Sequence, residues 1–133
     1  FDCFLRAYEK TKTAGINVCV HVIFGLWETH YEIMETAQKL AELGVDGVKI
    51  HMLCALKNTK LAQIYENGGI DFMEEDEYVQ TVCDFLEYLP PNTTIHRLAG
   101  NGLRLGKKFD CLNKIDREFI KRSSHQGSKF VYK

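Results

Sequence analysis

Three histidines each stand alone among apolar and β-branched residues: His21 within residues 18–24, His51 within 46–53 and His96 within 93–98. Imidazole is the side chain whose ordinary pKa lies closest to neutrality, so such groups suit proton transfer, ligand hydrogen bonding or metal ligation. If the three segments are β-strands, alternate side chains share a face. Cys19, His21, Ile23 and Gly25 then lie on one side of the first strand, and Gly47, Lys49, His51 and Leu53 on the corresponding side of the second. The opposite sets, Val18, Val20, Val22 and Phe24 with Val48, Ile50 and Met52, are apolar and suit a helix layer. Singly, each histidine reads as a satisfied core residue. The three together, joined by Lys49, read as a polar pocket near the C-terminal ends of parallel strands, where ligand sites of α/β folds gather. A histidine-only metal site is the alternative, and it needs three or four convergent ligands.

The loops behind these strands carry further candidates. Gly25-Leu26-Trp27-Glu28 follows the first strand directly. Gly25 lets backbone approach a ligand, and Glu28 offers a carboxylate at the next helix's first turn, where its plainer role is to complement the helix dipole. After the second strand Asn58, in Lys57-Asn58-Thr59, is a candidate N-cap.

Charge is segregated along the 133 residues. Residues 1–103 hold 8 basic and 15 acidic side chains, whereas residues 104–133 hold 9 basic and 3 acidic ones, and the whole chain sums to a formal -1. This divides a body, 1–103, from a basic helix and tail, 104–133. The basic end reads either as a contact for a polyanion or as a helix docked on the acidic body. On a helix, Lys114, Arg117 and Lys121 share one face. The five cysteines are odd in number and widely spread, with no Cys-x-x-Cys pair, which favours a reducing cytoplasm over a disulfide framework or a zinc knuckle. No apolar run reaches the roughly 18 residues of a membrane helix, so no membrane partner is expected. The chain opens on Phe1 inside a helical pattern and reads as a piece of something longer.

The elements needed to position these groups follow from periodicity. A helix is expected over 1–14, with Phe4, Leu5, Tyr8 and Lys12 on one stripe, then a buried strand over 16–24. A helix over 28–43 ends at Gly44, and a second strand covers 46–53. Helices over 59–66 and 74–88 precede Pro90-Pro91, and a third strand covers 93–98. A glycine-rich loop, 100–106, leads to a last helix over 109–122 and a polar tail. This α/β order predicts about three parallel strands with flanking helices. Three strands cannot close a barrel, so the segment reads as the back portion of a larger one. A self-contained three-layer sandwich is the alternative.

Several stretches carry a resemblance: 18–26 (Val-Cys-Val-His-Val-Ile-Phe-Gly-Leu), 44–53 (Gly-Val-Asp-Gly-Val-Lys-Ile-His-Met-Leu), 95–101 (Ile-His-Arg-Leu-Ala-Gly-Asn), 112–118 (Leu-Asn-Lys-Ile-Asp-Arg-Glu) and Gln126-Gly127. In this order they resemble the C-terminal half of an uncharacterised type of radical SAM protein related to the Elp3-like enzymes. The resemblance implies the C-terminal portion of a partial (β/α)6 barrel that holds S-adenosyl-L-methionine and a [4Fe-4S] cluster at the strands' C-terminal ends. Residues 21–28 would be the adenine-contacting motif, with Ile23 and Gly25 against the ring, and residues 51–59 would join the same pocket. The cofactor-binding set implied is His21, Ile23, Gly25, Glu28, Lys49 and His51. Related proteins modify the wobble uridine of tRNA, which implies tRNA as a partner and Lys114, Arg117 and Lys121 as its contacts.

Two departures accompany the resemblance. The family's Cys-x-x-x-Cys-x-x-Cys motif is absent, so the cluster ligands are expected outside this segment, on the N-terminal half of the same barrel. Gly25-Leu26-Trp27-Glu28 is one residue shorter than the family's Gly-Leu-Pro-Gly-Glu, and the loop over 101–108 is also short. The function expected is therefore the SAM-side half of a tRNA-modifying radical SAM enzyme, inactive without its other half. The alternatives are a stand-alone RNA- or protein-binding module, with a homodimer covering the open edge, and a non-radical (β/α)-barrel fragment using His21, His51 and Lys49 in acid–base chemistry.

Overall fold

The computed structural model describes residues 1–99 and 110–131. Its elements are α1 (Asp2–Thr13), β1 (Cys19–Phe24), α2 (His30–Leu43), β2 (Gly47–Met52), α3 (Lys60–Glu66), α4 (Glu75–Tyr88), β3 (Thr94–Arg97) and α5 (Cys111–Arg122). The strands form one open parallel sheet, as the alternation of helices and strands predicts, and lie in the order β1-β2-β3. The apolar faces of β1 and β2 supply Val20, Phe24, Val48 and Ile50 to a core completed by Ile33, Ala37 and Leu40 of α2, Tyr78, Val82 and Phe85 of α4, and Ile115 of α5. Phe24 packs edge-on against Phe85, with ring centroids 5.2 Å apart. On the other face Cys19, His21 and Ile23 stay exposed. Among the described residues β1 pairs only with β2, so its outer edge is open.

Local chemistry sets the boundaries. Thr29 caps α2, which leaves Glu28 just before the helix instead of in its first turn: the Thr29 hydroxyl accepts from the Glu32 N–H while Glu32 reaches back to the Thr29 N–H, a reciprocal pair that fixes the first turn. Gly44 closes α2 in the left-handed conformation, with φ +64°. Thr59, not Asn58, caps α3 by accepting from the Ala62 N–H, and Asn58 instead takes φ +64° in the turn before it. Lys12 does not continue the apolar stripe of α1. Its ammonium lies 2.7 Å from both Asp46 oxygens, and Asp46 also accepts from the Val18 N–H, which ties α1 to the starts of β1 and β2.

The segment after α5 is more than a polar tail. Gln126 donates to the carbonyls of Pro90 and Thr93, and Ser124 and Lys129 both engage the buried Glu87. Gly127, at φ +83°, lies so close to Pro91 that a Cβ would come within 2.6 Å of its ring, so only glycine fits. The loop over 101–108 lies outside the described residues.

Candidate functional site

The open face of the sheet gathers the basic groups. In register, His21 pairs with Lys49 and Lys49 with Arg97, so three basic residues form a row across all three strands. His51 stands one step further along, beside Ile23, and its ring centroid is 5.6 Å from that of His21. Partial burial, then the charges of Lys49, Arg97 and His21, push the His51 imidazole below its ordinary pKa. This ring therefore favours its neutral form, with one nitrogen able to accept and the other to donate.

Arg97 reaches the row through an irregularity. Ile95 pairs with Val48 and Arg97 with Lys49, so His96 is an extra residue on β3 with no partner of its own. A bulge of this kind breaks the alternation that would set His96 and Arg97 on opposite faces. Gly47 makes the room: a Cβ there would lie 2.5 Å from the His96 Nε2. His96 thus lies over Gly47, on the side of β2 that also carries Lys49 and His51. Among the described residues no group of three or more His, Cys, Asp or Glu is placed to hold a metal ion, and the histidine-only metal site is not formed.

The turn after β1 is tightly shaped. Gly25 adopts φ +103°, and its N–H donates to the Glu28 Oε1 at 2.5 Å. A Cβ on Gly25 would meet only the Leu53 Cβ, at 3.4 Å, so the obstacle to a side chain is backbone conformation more than space. The second oxygen of Glu28 is buried without a hydrogen-bond partner among the described residues. Trp27 takes φ +64°, a conformation costly for a bulky residue, and its indole N–H donates to the Gly69 carbonyl at 3.2 Å. Trp27 is nonetheless 62% exposed, and Leu26 and Leu56 are exposed too, giving the loops after β1 and β2 an apolar surface. Sequence reasoning overlooked Trp27 as a shaped residue. A large aromatic in a tight βα turn was the available signal.

The basic end behaves differently. Lys114 lies 2.7 Å from Asp76 and 2.8 Å from Glu75, and these two carboxylates, Asp76 first, hold its ammonium above its ordinary pKa. The ammonium of Lys121 lies 3.5 Å from Glu118, and Arg117 is exposed. All three border a shallow groove between α4 and α5 with Asp76, Val79 and Gln80. The site thus separates into a row of basic side chains on the open face and a second set in which Lys114 and Lys121 are answered by acidic residues of α4 and α5.

Comparison with known proteins adds relatives to this geometry. Residues 45–121 match the Radical_SAM C-terminal domain. The chain is 41% identical over 139 aligned residues to the uncharacterized protein YtqA of Bacillus subtilis, covering 98% of this chain and 43% of that protein. It is 31% identical over 105 residues to the protein YhcC of Escherichia coli, covering 78% and 34%. Against the biotin synthase of Geobacillus thermodenitrificans the identity is 32% over 100 residues, covering 75% and 28%. The chain spans less than half the length of these curated relatives.

Proposed function

The chain belongs to the radical SAM C-terminal domain family, and we propose that it forms the cofactor-side half of a radical SAM enzyme, completed by the N-terminal half of the same barrel. The observation that carries this reading is the open face itself. A three-stranded parallel sheet with helices packed behind it leaves the β1 edge free for further strands and the opposite face clear for a ligand.

The residues fit S-adenosyl-L-methionine. Ile23 is 46% exposed on the open face, where it offers apolar surface to an adenine ring, and Gly25 lets backbone come close. Glu28 holds the turn by accepting the Gly25 N–H, which fixes the backbone that meets the ligand. His21, Lys49 and His51 line the floor beside them. Bound to its reduced cluster, the cofactor supplies hydrogen-atom abstraction; the work of this chain is to hold and orient it and to exclude water. The described residues do not fit the [4Fe-4S] cluster. Cys83 and Cys111 are buried thiols pushed up to about 11 by burial, Cys3 and Cys19 are exposed and far apart in sequence, and the cysteines include no three-cysteine motif. We place the cluster ligands on the N-terminal half, and the protein, on its five free thiols, in a reducing cytoplasm.

The test is cofactor binding by the full-length protein. Gly25→Val should weaken S-adenosylmethionine affinity by about tenfold or more while the fold persists, because the turn can no longer bring backbone to the ring. An unchanged affinity removes Gly25 from the site. This chain alone should run as a homodimer or unfold readily, and sedimentation showing a stable monomer counts against the half-barrel reading.

For the substrate we retain tRNA, within the relation to Elp3-like enzymes, supported by the exposure of Arg117 and Lys121 on α5. Binding to tRNA should fall steeply with salt and weaken when Lys114, Arg117 and Lys121 are replaced together. If neither affinity nor salt slope changes, this face only docks α5.

A further inference from the structure

The basic row lies where a barrel would enclose it, and it lacks what balances every other prominent cation cluster of the molecule. Lys12, Lys114, Arg122 and Lys129 each face a carboxylate. Lys49 and Arg97 face each other and His21, with no ion pair among the described residues. Like charges at paired positions on neighbouring strands repel, so this arrangement is unfavourable unless an anion is shared between them. The bulge that inserts His96 is what brings Arg97 opposite Lys49.

We propose that His21, Lys49 and Arg97, with His51 standing above them, form a subsite for a small anionic group, a carboxylate or a phosphate, carried by the substrate. The subsite rests on the radical SAM reading for its place inside a barrel. Lys49 and Arg97 supply charge-assisted hydrogen bonds, with the guanidinium able to take two oxygens at once. His21 and His51 add polar groups that can donate to the same oxygens. The row sits four residues before Gly25 along β1, about 13 Å nearer the strand's start at the usual rise per residue, so it forms floor and the Gly25 turn forms rim.

The experiment uses the full-length protein and phenylglyoxal, which condenses with accessible guanidinium groups, with peptide mass spectrometry reading Arg97 and the exposed Arg6 separately. Millimolar inorganic phosphate or acetate should slow reaction at Arg97 by about fivefold and leave Arg6 unchanged, because only a paired cation site concentrates a small anion. Lys49→Gln should abolish that protection. S-adenosylmethionine binding is measured in parallel. If the cofactor protects Arg97 and phosphate cannot compete, the pair belongs to the cofactor's carboxylate and the substrate subsite is wrong. Equal rates at Arg97 with and without either anion also overturn it. Protection by phosphate in a protein that does not bind S-adenosylmethionine upholds the anion subsite and refutes the radical SAM reading instead.

Discussion

Arg97 and Arg122 carry the same guanidinium in opposite circumstances. Arg122 lies 2.5 Å from Asp84 and 2.9 Å from Glu118 and also meets the Gln80 carboxamide; burial works against its charge, but Glu118 and Asp84 hold it above its ordinary pKa. It closes α5 onto α4 beside Glu87, which is only 2% exposed and also receives Ser124 and Lys129. Arg97 stands exposed beside Lys49 and adds its charge to a surface that already repels protons from His51. The contrast teaches how to sort cations in this protein. A cation whose carboxylates come from another element is structural, and its loss is felt in stability. A cation set against other cations on an open face is available to a ligand, and its loss is felt in binding.

The comparison breaks most readily at Arg122. Arg122→Ala strands Glu87 and Asp84 without their shared cation and should lower unfolding free energy by about 2–4 kcal/mol, read from urea denaturation. An unchanged midpoint would put α5 among the dispensable parts. Gly25→Val should cost about 1–3 kcal/mol through its positive φ, and it reports on the open-face side, since the loss of cofactor affinity should exceed what this destabilisation explains. A Gly25→Ala variant that keeps both stability and affinity would refute that.

Acid should weaken the paired region through its carboxylates. Burial raises Glu87, but Lys129, Ser124 and Arg122 overcome it and leave its pKa below the ordinary value of 4.5, and Arg122 does the same for Glu118. Groups depressed in the folded state hold their contribution above the unfolded value and lose it as pH falls through the folded one. The contribution of Glu87 and Glu118 should therefore begin to fall near pH 4.5, below the loss that starts at His51, and Glu87→Gln should flatten the slope there. Lys49→Gln and Arg97→Gln, by contrast, should change stability by no more than about 0.5 kcal/mol, with any change favourable. A loss comparable to that at Arg122 would make the row structural. The finest test is the His51 imidazole itself, followed by NMR. Its pKa lies below 6.5 in the folded chain, so protonation of the unfolded chain costs stability as pH falls through that value, and Arg97→Gln should raise the folded pKa and reduce the loss.

Much of the scaffold was legible because its causes are local. The alternation in 18–24 and 47–52 set which side chains meet the helices, and the observed burial of Val20, Phe24, Val48 and Ile50 follows it. Gly44 marked the end of α2, and Pro90-Pro91 the end of α4. The helix starts were less legible: Thr29 caps α2 and leaves Glu28 outside its first turn, and Asn58 is a reasonable N-cap for α3, but Thr59 stands one position on and takes the role. Either side chain can cap, and the backbone of the preceding turn chooses.

His21, Lys49 and His51 were placed on one face by sequence alone because a period of two needs no partner to be read. Arg97 could not be, since its face depends on a bulge defined only against β2, and a bulge is a mismatch between two strands some fifty residues apart. The meaning of the basic end was likewise open, because composition counts charges without saying which ones meet. Lys114 finds Glu75 39 residues away and Arg122 finds Asp84 38 residues away, and only packing of α5 onto α4 brings them within reach. Periodicity and caps act over a few residues and leave their mark in the sequence. Register and ion pairing act through space, so the three-dimensional fold decided which cations are spent on structure and which remain for a ligand.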